Sequence, residues 1–217
     1  MIPILTFITL PLIGKKKKDE YTASKPNETG EPIISSCREG IYKKIIERYA
    51  EIIEESEAKS ISELKGLVNT EDGKIKEIVS EIKKKYDDYN YERDFTNAAY
   101  EAVLFVSKIR TVSLPVNFWL SFSEIVEIGE ADQMDKGILL CAILRALGSP
   151  NAAVFLSEAK NVYVLWNVDD VFYLFDAESN GLDTGREEEI KAKMGSSLLY
   201  SFNDKEYRDF SHVSISD

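Results

Sequence analysis

Apolar residues at helical spacing dominate the first half of the chain. Over residues 37–57 they recur at intervals of three and four with charged residues between them, which predicts an amphipathic helix. A second helix is predicted to follow Thr70, a residue type that caps helix N-termini, and a third to begin near Asp94. The middle of the third helix, residues 102–106, is apolar nearly all round, so we expect it to be deeply buried.

Two further helices are indicated after residue 120. Residues 123–128 predict a short helix that ends at Gly129, because glycine accepts the left-handed conformation that closes many helices. Asp132 is the predicted N-cap of a strong helix over residues 133–147, which ends before Gly148.

Runs typical of β-strands occupy the rest of the chain. Two of them are separated only by Asp169 and Asp170, which is a two-residue hairpin signal. Helices followed by an antiparallel meander predict an α+β fold, with a buried central helix packed on a small antiparallel sheet. The predicted strands cover residues 152–156, 162–168, 171–175 and 198–202.

Changes in composition divide the chain into three parts. Residues 1–30 comprise an apolar segment, the lysine run of residues 15–18 and a polar linker. Residues 31–90 form a helical region. Residues 91–217 contain the predicted central helix and sheet and are expected to form one domain.

The apolar segment, residues 1–13, is open to three interpretations. It is shorter than the about 20 residues that span a bilayer, and no basic residues precede it as they do in most export signals. The segment is a truncated or weak membrane anchor with the lysines at the membrane surface (Met1 to Lys18), an edge strand or docked arm of the domain, or an unusual export signal. A cytoplasmic or membrane-associated location is favoured over secretion.

Charge and composition narrow the function. The chain has 38 acidic and 27 basic residues, a formal net charge of −11, and 44% hydrophobic residues. Such a composition is typical of a globular protein, and its charge repels phosphate backbones, so nucleic acid is not an expected partner.

Cysteine and histidine are scarce. Cys37 and Cys141 are too far apart to suggest a disulfide framework or a zinc site, and His212 is the single histidine. The run of acidic residues between Asp169 and Asp183 does not have the spacing of an EF-hand loop. We therefore predict no metal and no cofactor, and the lack of histidine disfavours imidazole catalysis.

The order of elements nevertheless matches the scaffold of a thiol hydrolase or acyl transferase. Such an enzyme places a nucleophilic cysteine at a helix N-terminus, where the dipole stabilises a thiolate. A histidine from a neighbouring strand acts as the base, and an acidic or amide residue on the next strand orients it. Here the central helix is followed by two strands joined by a hairpin. The scaffold for a triad is therefore predicted.

Specific residues carry a resemblance to one family. Trp119 precedes a short helix, Asp132-Gln133-Met134-Asp135 opens the central helix, and Leu144-Arg145-Ala146-Leu147-Gly148 ends it. This order is similar to the transglutaminase-like superfamily, which has the papain-like cysteine protease fold and shows Gly-Asp-Cys-x-Asp at the helix start. The family then has a strand opening His-x-Trp and a second ending Asp-Pro. Asn161-Val162-Tyr163 and Asp176-Ala177 resemble those places.

The departures from the family pattern bear on function. The resemblance puts Gln133 at the nucleophile position and Asn161 at the histidine position, and only Asp176 is retained. Glutamine forms no covalent acyl intermediate, and asparagine does not shuttle protons near neutral pH. Cys141 lies among aliphatic residues in the helix and is expected to be a buried hydrophobe with a raised pKa. The chain thus resembles a degenerate member that has lost its catalytic pair.

Four further residues are candidates for lining a remnant cleft: Trp119, Asp132, Asp135 and Tyr163. Simpler roles compete with this one. Trp119 fits core or rim packing, and Asp132 fits a helix cap. Asp135 and Lys136 are expected to be an exposed pair on the first turn, in preference to facing the cleft.

Three functions remain open at this point. The favoured one is a non-catalytic transglutaminase-like protein, or pseudoenzyme, that acts as a binding or structural module for an unidentified protein or peptide. In it Gln133, Asn161 and Asp176 would form a hydrogen-bonded cluster. The second is a hydrolase or acyl transferase with rearranged, non-thiol chemistry that uses carboxylates such as Asp176 and Asp135. The third is a membrane-associated assembly component whose helical half, Cys37–Lys85, provides the contact surface.

Overall fold

A computed structural model describes residues 33–195 and 197–210 of the chain, with side chains from residue 39. The chain divides into two units, Met1–Ile45 and Ile46–Asp217. The apolar segment, the lysine run, the polar linker and His212 lie outside the described residues, as does the side chain of Cys37. The predictions for them, and the predicted boundaries at residues 30 and 90, stay predictions.

Helices fill most of the chain between residues 33 and 146. None of the described helices is both long and apolar enough to cross a membrane. They are α1 (Ile33–Glu57), α2 (Ile61–Leu67), α3 (Gly73–Lys83), α4 (Tyr91–Val106), α5 (Phe122–Ile128), α6 (Gln133–Ala146) and α7 (Glu187–Met194).

The strands form one large sheet and one small pair. The six-stranded sheet is antiparallel throughout, in the order β6-β5-β4-β3-β7-β8, and β1 pairs with β2 in parallel. The strands are β1 (Arg110–Thr111), β2 (Glu130–Ala131), β3 (Ala153–Ser157), β4 (Val162–Val168), β5 (Val171–Asp176), β6 (Leu182–Gly185), β7 (Leu198–Phe202) and β8 (Tyr207–Asp209).

Local signals placed several elements correctly. Gly129 ends α5 in the left-handed conformation with φ of 72°, as its lack of a Cβ permits. Strands β4 and β7 have the predicted bounds. The two-residue hairpin is also confirmed, because Val168 pairs with Val171 and Asp169 adopts a φ of 51°.

The predicted starts of two helices were wrong. Asp72, not Thr70, is the N-cap of α3, and its Oδ1 accepts hydrogen bonds from the amides of Lys74 and Ile75 at 2.8 and 3.4 Å. Helix α4 begins at Tyr91, before Asp94, because the Asn90 side chain caps it. Asp94 instead closes the cap from inside the helix, where its Oδ2 accepts the Asn90 amide at 2.9 Å. More than one residue of a cap-forming type precedes each helix, and the backbone conformation determines which of them is the N-cap.

Helix α6 is the centre of the core. It packs against β3 and β4 on one side and against α3 and α4 on the other. The α+β fold with a buried central helix on an antiparallel sheet is therefore confirmed. The prediction for residues 102–106 was wrong in part, since Ala102 and Val103 are buried but Leu104 is 58% exposed.

The helix approaches the sheet most closely at Gly137. A Cβ at this position would lie 2.8 Å from Cγ1 of Val162, which is closer than side-chain carbons approach one another. Glycine therefore sets the distance between α6 and β4. This contact also holds the start of α6 beside the start of β4, where the candidate site lies.

Candidate functional site

The N-terminus of α6 is built by its cap. Asp132 Oδ1 accepts a hydrogen bond from the Asp135 amide at 2.8 Å, so the predicted N-cap role is confirmed. The N-terminus of a helix also carries a partial positive charge. In a thiol enzyme this is where a nucleophile would lie.

Gln133 is the first residue of α6, and its side chain is bonded to the sheet. Its Oε1 accepts a hydrogen bond from the Val162 amide at 3.3 Å. The carbonyl of Val162 accepts the Ala177 amide at 3.0 Å, so the ladder between β4 and β5 ends here. Gln133 thus satisfies a backbone donor that the ladder leaves without a strand partner.

Asn161 lies just before β4 and belongs to the other face of the sheet. Val162 and Val164 face α6, since a Cβ on Gly137 would lie 2.8 and 3.7 Å from their side chains. Side chains alternate along a strand, so Tyr163 points away from α6. The Asn161 amide follows it and donates to the Tyr163 hydroxyl at 3.3 Å.

Asp176 ends β5 and closes its own turn. Its Oδ1 accepts the amides of Glu178 and Ser179 at 2.9 and 3.3 Å, and its Oδ2 accepts the Ser179 hydroxyl at 2.9 Å. This is the turn-forming behaviour typical of aspartate. Asp176 also lies opposite Tyr163 in the sheet register.

The structure therefore gathers the three residues around the meeting point of α6, β4 and β5 without joining their side chains. In the described part of the chain no hydrogen bond links Gln133, Asn161 and Asp176 to one another. The hydrogen-bonded cluster expected from the sequence was wrong, because each side chain bonds its own local backbone or neighbour. Their assignment as remnant triad positions stays a prediction.

Asp135 and Lys136 are not a surface pair, and that prediction was wrong. Asp135 is 3% exposed and Lys136 is fully buried. Burial raises the pKa of the Asp135 carboxyl to about 8, and the nearby Asp132 carboxylate adds to the shift. The Leu120 amide donates to Asp135 Oδ2 at 3.3 Å, which opposes the shift only in part. Burial also raises the pKa of Asp132.

Lys136 is buried and its ammonium forms hydrogen bonds to two other segments, a role that the sequence did not predict. Its Nζ donates to Thr111 Oγ1 at 2.7 Å and to Asn180 Oδ1 at 2.5 Å, so both acceptors are uncharged. Burial lowers the pKa of the ammonium, and Asp176 opposes that shift. Because Thr111 donates to the Ala177 carbonyl at 3.1 Å, the contacts join α6, β1 and the turn after β5. A lysine on an apolar helix was the available signal, but it does not reveal its acceptors.

Trp119 and Tyr163 lie at different places around the site. The indole Nε1 of half-buried Trp119 donates to the Glu57 carbonyl at 2.8 Å, which ties the end of α1 to the segment before α5. Tyr163 packs with Leu174, Ile190 and Met194 in a small cluster on the α7 face of the sheet. Trp119 and Tyr163 therefore belong to different packing clusters and do not line one surface.

Cys141 and the acidic run between Asp169 and Asp183 are the remaining candidates for chemistry. Cys141 is fully buried and burial raises the pKa of its thiol, so its interpretation as a core hydrophobe is confirmed. Within residues 33–195 and 197–210, no three His, Cys, Asp or Glu side chains are grouped so as to hold a metal ion. Asp183, from the acidic run, forms an ion pair with Lys193.

Comparisons with known proteins give one distant likeness. No family model matches the chain, and no curated protein matches it. Among solved structures, Legionella pneumophila LapG in its calcium-bound form is similar, with a TM-score of 0.45 and 15% sequence identity. The similarity covers 70% of this chain and 88% of LapG. A likeness this distant transfers no residue role and no ligand to this chain.

Proposed function

We propose that the chain is a non-catalytic transglutaminase-like protein that acts as a binding or structural module. The observation that carries the proposal is the state of Gln133. The family resemblance puts Gln133 at the nucleophile position, yet a glutamine side chain cannot form a covalent acyl intermediate. Its Oε1 accepts a hydrogen bond from the Val162 amide. The position that would hold a nucleophile instead secures the end of a β-ladder.

The base and orienting positions support the same proposal. An asparagine amide exchanges no proton near neutral pH, and the Asn161 side chain bonds Tyr163 on the face away from α6. The carboxylate of Asp176 accepts three hydrogen bonds from its own turn. Neither group is therefore arranged to activate a nucleophile at the start of α6.

Cys141 offers no replacement thiol. It lies two turns into α6 and is fully buried, and its thiol has a raised pKa, so thiolate is disfavoured. A reagent or substrate reaches a buried thiol only when the surrounding core opens.

One observation favours the second candidate, a hydrolase with carboxylate chemistry. Asp135, with a pKa of about 8, holds its proton at neutral pH beside Asp132. Two carboxyl groups that differ in protonation can act as acid and base. This pair differs from the Asp176 and Asp135 pair expected from the sequence, since the Asp176 oxygens are engaged in the turn. The proposal of a membrane-associated assembly component rests on residues 1–18, which lie outside the described residues, and on residues 37–85 as its contact surface.

Turnover assays separate these functions. We expect no hydrolysis of fluorogenic peptide amides or aryl esters above the buffer rate, because no described group at the α6 N-terminus is arranged as a nucleophile. The Cys141→Ser and Asp135→Asn variants are measured beside the natural chain. Turnover that is lost in Cys141→Ser would contradict the absence of thiol catalysis. Turnover lost only in Asp135→Asn would replace the proposal with carboxylate chemistry.

A further inference from the structure

A groove lies at the end of α6 opposite the candidate site. It has a volume of about 710 Å³ and opens between α3, the C-terminal turn of α6 and the segment that joins α3 to α4. Six of its lining residues define what we call the α3–α6 groove: Lys76, Ser80, Lys83, Lys84, Tyr86 and Tyr89. The volume is in the range of surfaces that hold small ligands or short peptide segments.

The aromatic wall of the groove is held in place. The Tyr89 hydroxyl donates to the Leu147 carbonyl at 2.8 Å, which anchors this ring to the end of α6. Tyr86 packs edge-on against it, with ring centroids 5.9 Å apart and planes at 73°. A wall fixed in this way loses little conformational freedom when a ligand binds.

The lining has the opposite charge balance to the whole chain. Four basic and two acidic residues line the groove, whereas the chain carries 38 acidic and 27 basic residues. Arg145 is already neutralised by Asp204 at 2.6 Å, so the cations open to a ligand are the three lysines. Charges beyond about 8 Å are screened at physiological salt, so the local lysines dominate what binds here.

The three lysines differ in how firmly they are held. Lys76 pairs with Glu71 at 2.8 Å and Lys84 pairs with Glu81, and both pairs are exposed. Exposed pairs contribute about 0–1 kcal/mol and exchange partners readily. Lys83 forms none of the ion pairs found among the described residues, and its Nζ lies 4.8 Å from the centre of the Tyr89 ring. It is therefore the cation most available to an incoming carboxylate.

We propose that the α3–α6 groove binds an extended acidic segment of a partner protein. Lys76 and Lys83 lie seven residues apart on one helix, which places them about 10 Å apart along its axis. An extended peptide in the polyproline II conformation has three residues per turn and a rise of about 3.1 Å per residue, so acidic residues three positions apart lie on the same face about 9 Å apart. Lys76 and Lys83 would each pair with one carboxylate of the ligand. The ligand residues between these carboxylates would contact the rings of Tyr86 and Tyr89.

This inference names a surface and a partner chemistry for the proposed binding role, on which it rests. Different experiments would contradict the proposed function and the proposed groove. Turnover at the α6 N-terminus would contradict the non-catalytic function and leave the groove unaffected. A groove that ignores acidic peptides would contradict only the inference made here.

Fluorescence anisotropy with a defined probe tests the inference. The probe is a fluorescein-labelled octapeptide with glutamate at positions 2, 5 and 8 and serine elsewhere, and a second peptide has lysine in place of each glutamate. We expect saturable binding of the glutamate peptide with Kd below about 1 mM and at least tenfold weaker binding of the lysine peptide. Absence of binding up to about 1 mM, or equal binding of both peptides, would overturn the proposal.

A matched pair of variants locates the binding. Lys76→Glu with Lys83→Glu should weaken binding at least tenfold. Lys191→Glu with Lys193→Glu changes the net charge by the same amount on α7 and should leave Kd within twofold. Equal losses in both pairs would show a general charge effect and contradict the groove. Amide chemical shifts provide a second measurement in the natural chain, where the glutamate peptide should perturb α3 and leave α7 unchanged, and the reverse pattern would contradict the proposal.

Discussion

Asp135 and Lys136 are neighbouring ionisable residues whose side chains respond to burial in different ways. Burial, and then the nearby Asp132 carboxylate, favour the neutral form of the Asp135 carboxyl, and its one backbone donor, from Leu120, opposes this only in part. The Lys136 ammonium has two neutral oxygen acceptors that compensate part of the cost of burial. Asp135 therefore makes the stability of the fold depend on pH, whereas Lys136 joins α6 to two other segments through hydrogen bonds.

The raised pKa of Asp135 predicts how stability depends on pH. An aspartate has a pKa of about 3.9 in an unfolded chain, and Asp135 has one of about 8 in the fold. Between these values the folded state keeps a proton that the unfolded chain has released, so stability falls as pH rises through this window. Asp135→Asn removes the titration and keeps an oxygen that accepts the Leu120 amide. We expect it to gain on the order of 3–4 kcal/mol more in free energy of unfolding at pH 8 than at pH 5.

Urea denaturation at several pH values between 5 and 8 measures this difference. Glu158→Gln removes an exposed carboxylate of β3's end and is the matched control, for which we expect no comparable pH-dependent gain. A gain in Asp135→Asn that is the same at both pH values would mean that Asp135 is ionised throughout, and burial would then not set its protonation.

At the level of elements, the contact between α6 and β4 defines the geometry of the site. Gly137 lets the helix lie against Val162, and Gln133 one turn earlier accepts the amide of the same residue. A packing contact and a hydrogen bond thus fix one strand residue against one helix. The opposite wall of the site depends on Lys136, which holds the turn after β5 through Thr111 and Asn180.

Gly137→Ala is predicted to disturb this contact. Alanine favours a helix by about 1 kcal/mol over glycine, but the added Cβ would lie 2.8 Å from Val162 and overpacking costs about 1–3 kcal/mol. We expect a net loss of about 1 kcal/mol in the free energy of unfolding. Gly66→Ala in α2 is the control, because nothing lies within 4 Å of its Cβ, and it should be neutral or stabilising.

A double-mutant cycle identifies the clash. Val162→Ala removes the methyl group that Gly137→Ala would meet, so the double variant should lose at least about 1 kcal/mol less than the sum of the single variants. Denaturant titration of the four proteins gives this coupling energy. Strictly additive losses would show that α6 shifts away from the sheet without contacting Val162.

At the scale of the whole molecule, Cys141 reports how the core opens. It is fully buried in α6, which packs against both the sheet and the helices α3 and α4. A reagent reaches this thiol only if these layers separate, and burial raises the thiol pKa while they remain closed.

Thiol labelling in a Cys37→Ser background is therefore predicted to follow global unfolding. We expect labelling of Cys141 to be at least about 1,000-fold slower than in the unfolded chain and to accelerate with urea, with the denaturant dependence of global unfolding. Ellman's reagent gives the rate, and circular dichroism gives the unfolding curve. Labelling at a rate independent of urea would indicate a local opening around α6 and contradict a single cooperative core.

Local chemistry explains which elements could be predicted from the sequence. Asp132 and Gly129 mark helix ends through their own side-chain and backbone preferences, and β4 is bounded by residues that favour turns. Helix α7 and strand β8 were missed because they are short and rich in charge. In α7 only Ile190 and Met194 are buried, so its apolar periodicity is too brief to recognise.

The candidate site was predictable in position and not in its contacts. The sequence by itself determined the order of helix, strand and hairpin, the residue types at Gln133, Asn161 and Asp176, and the absence of a histidine between residues 1 and 211. Tertiary structure decided that Gln133 bonds the backbone of β4, that Asn161 turns to Tyr163, and that Asp135 and Lys136 are buried. Residue type sets which bonds a side chain can form, whereas burial and the available partners depend on segments far apart in the chain.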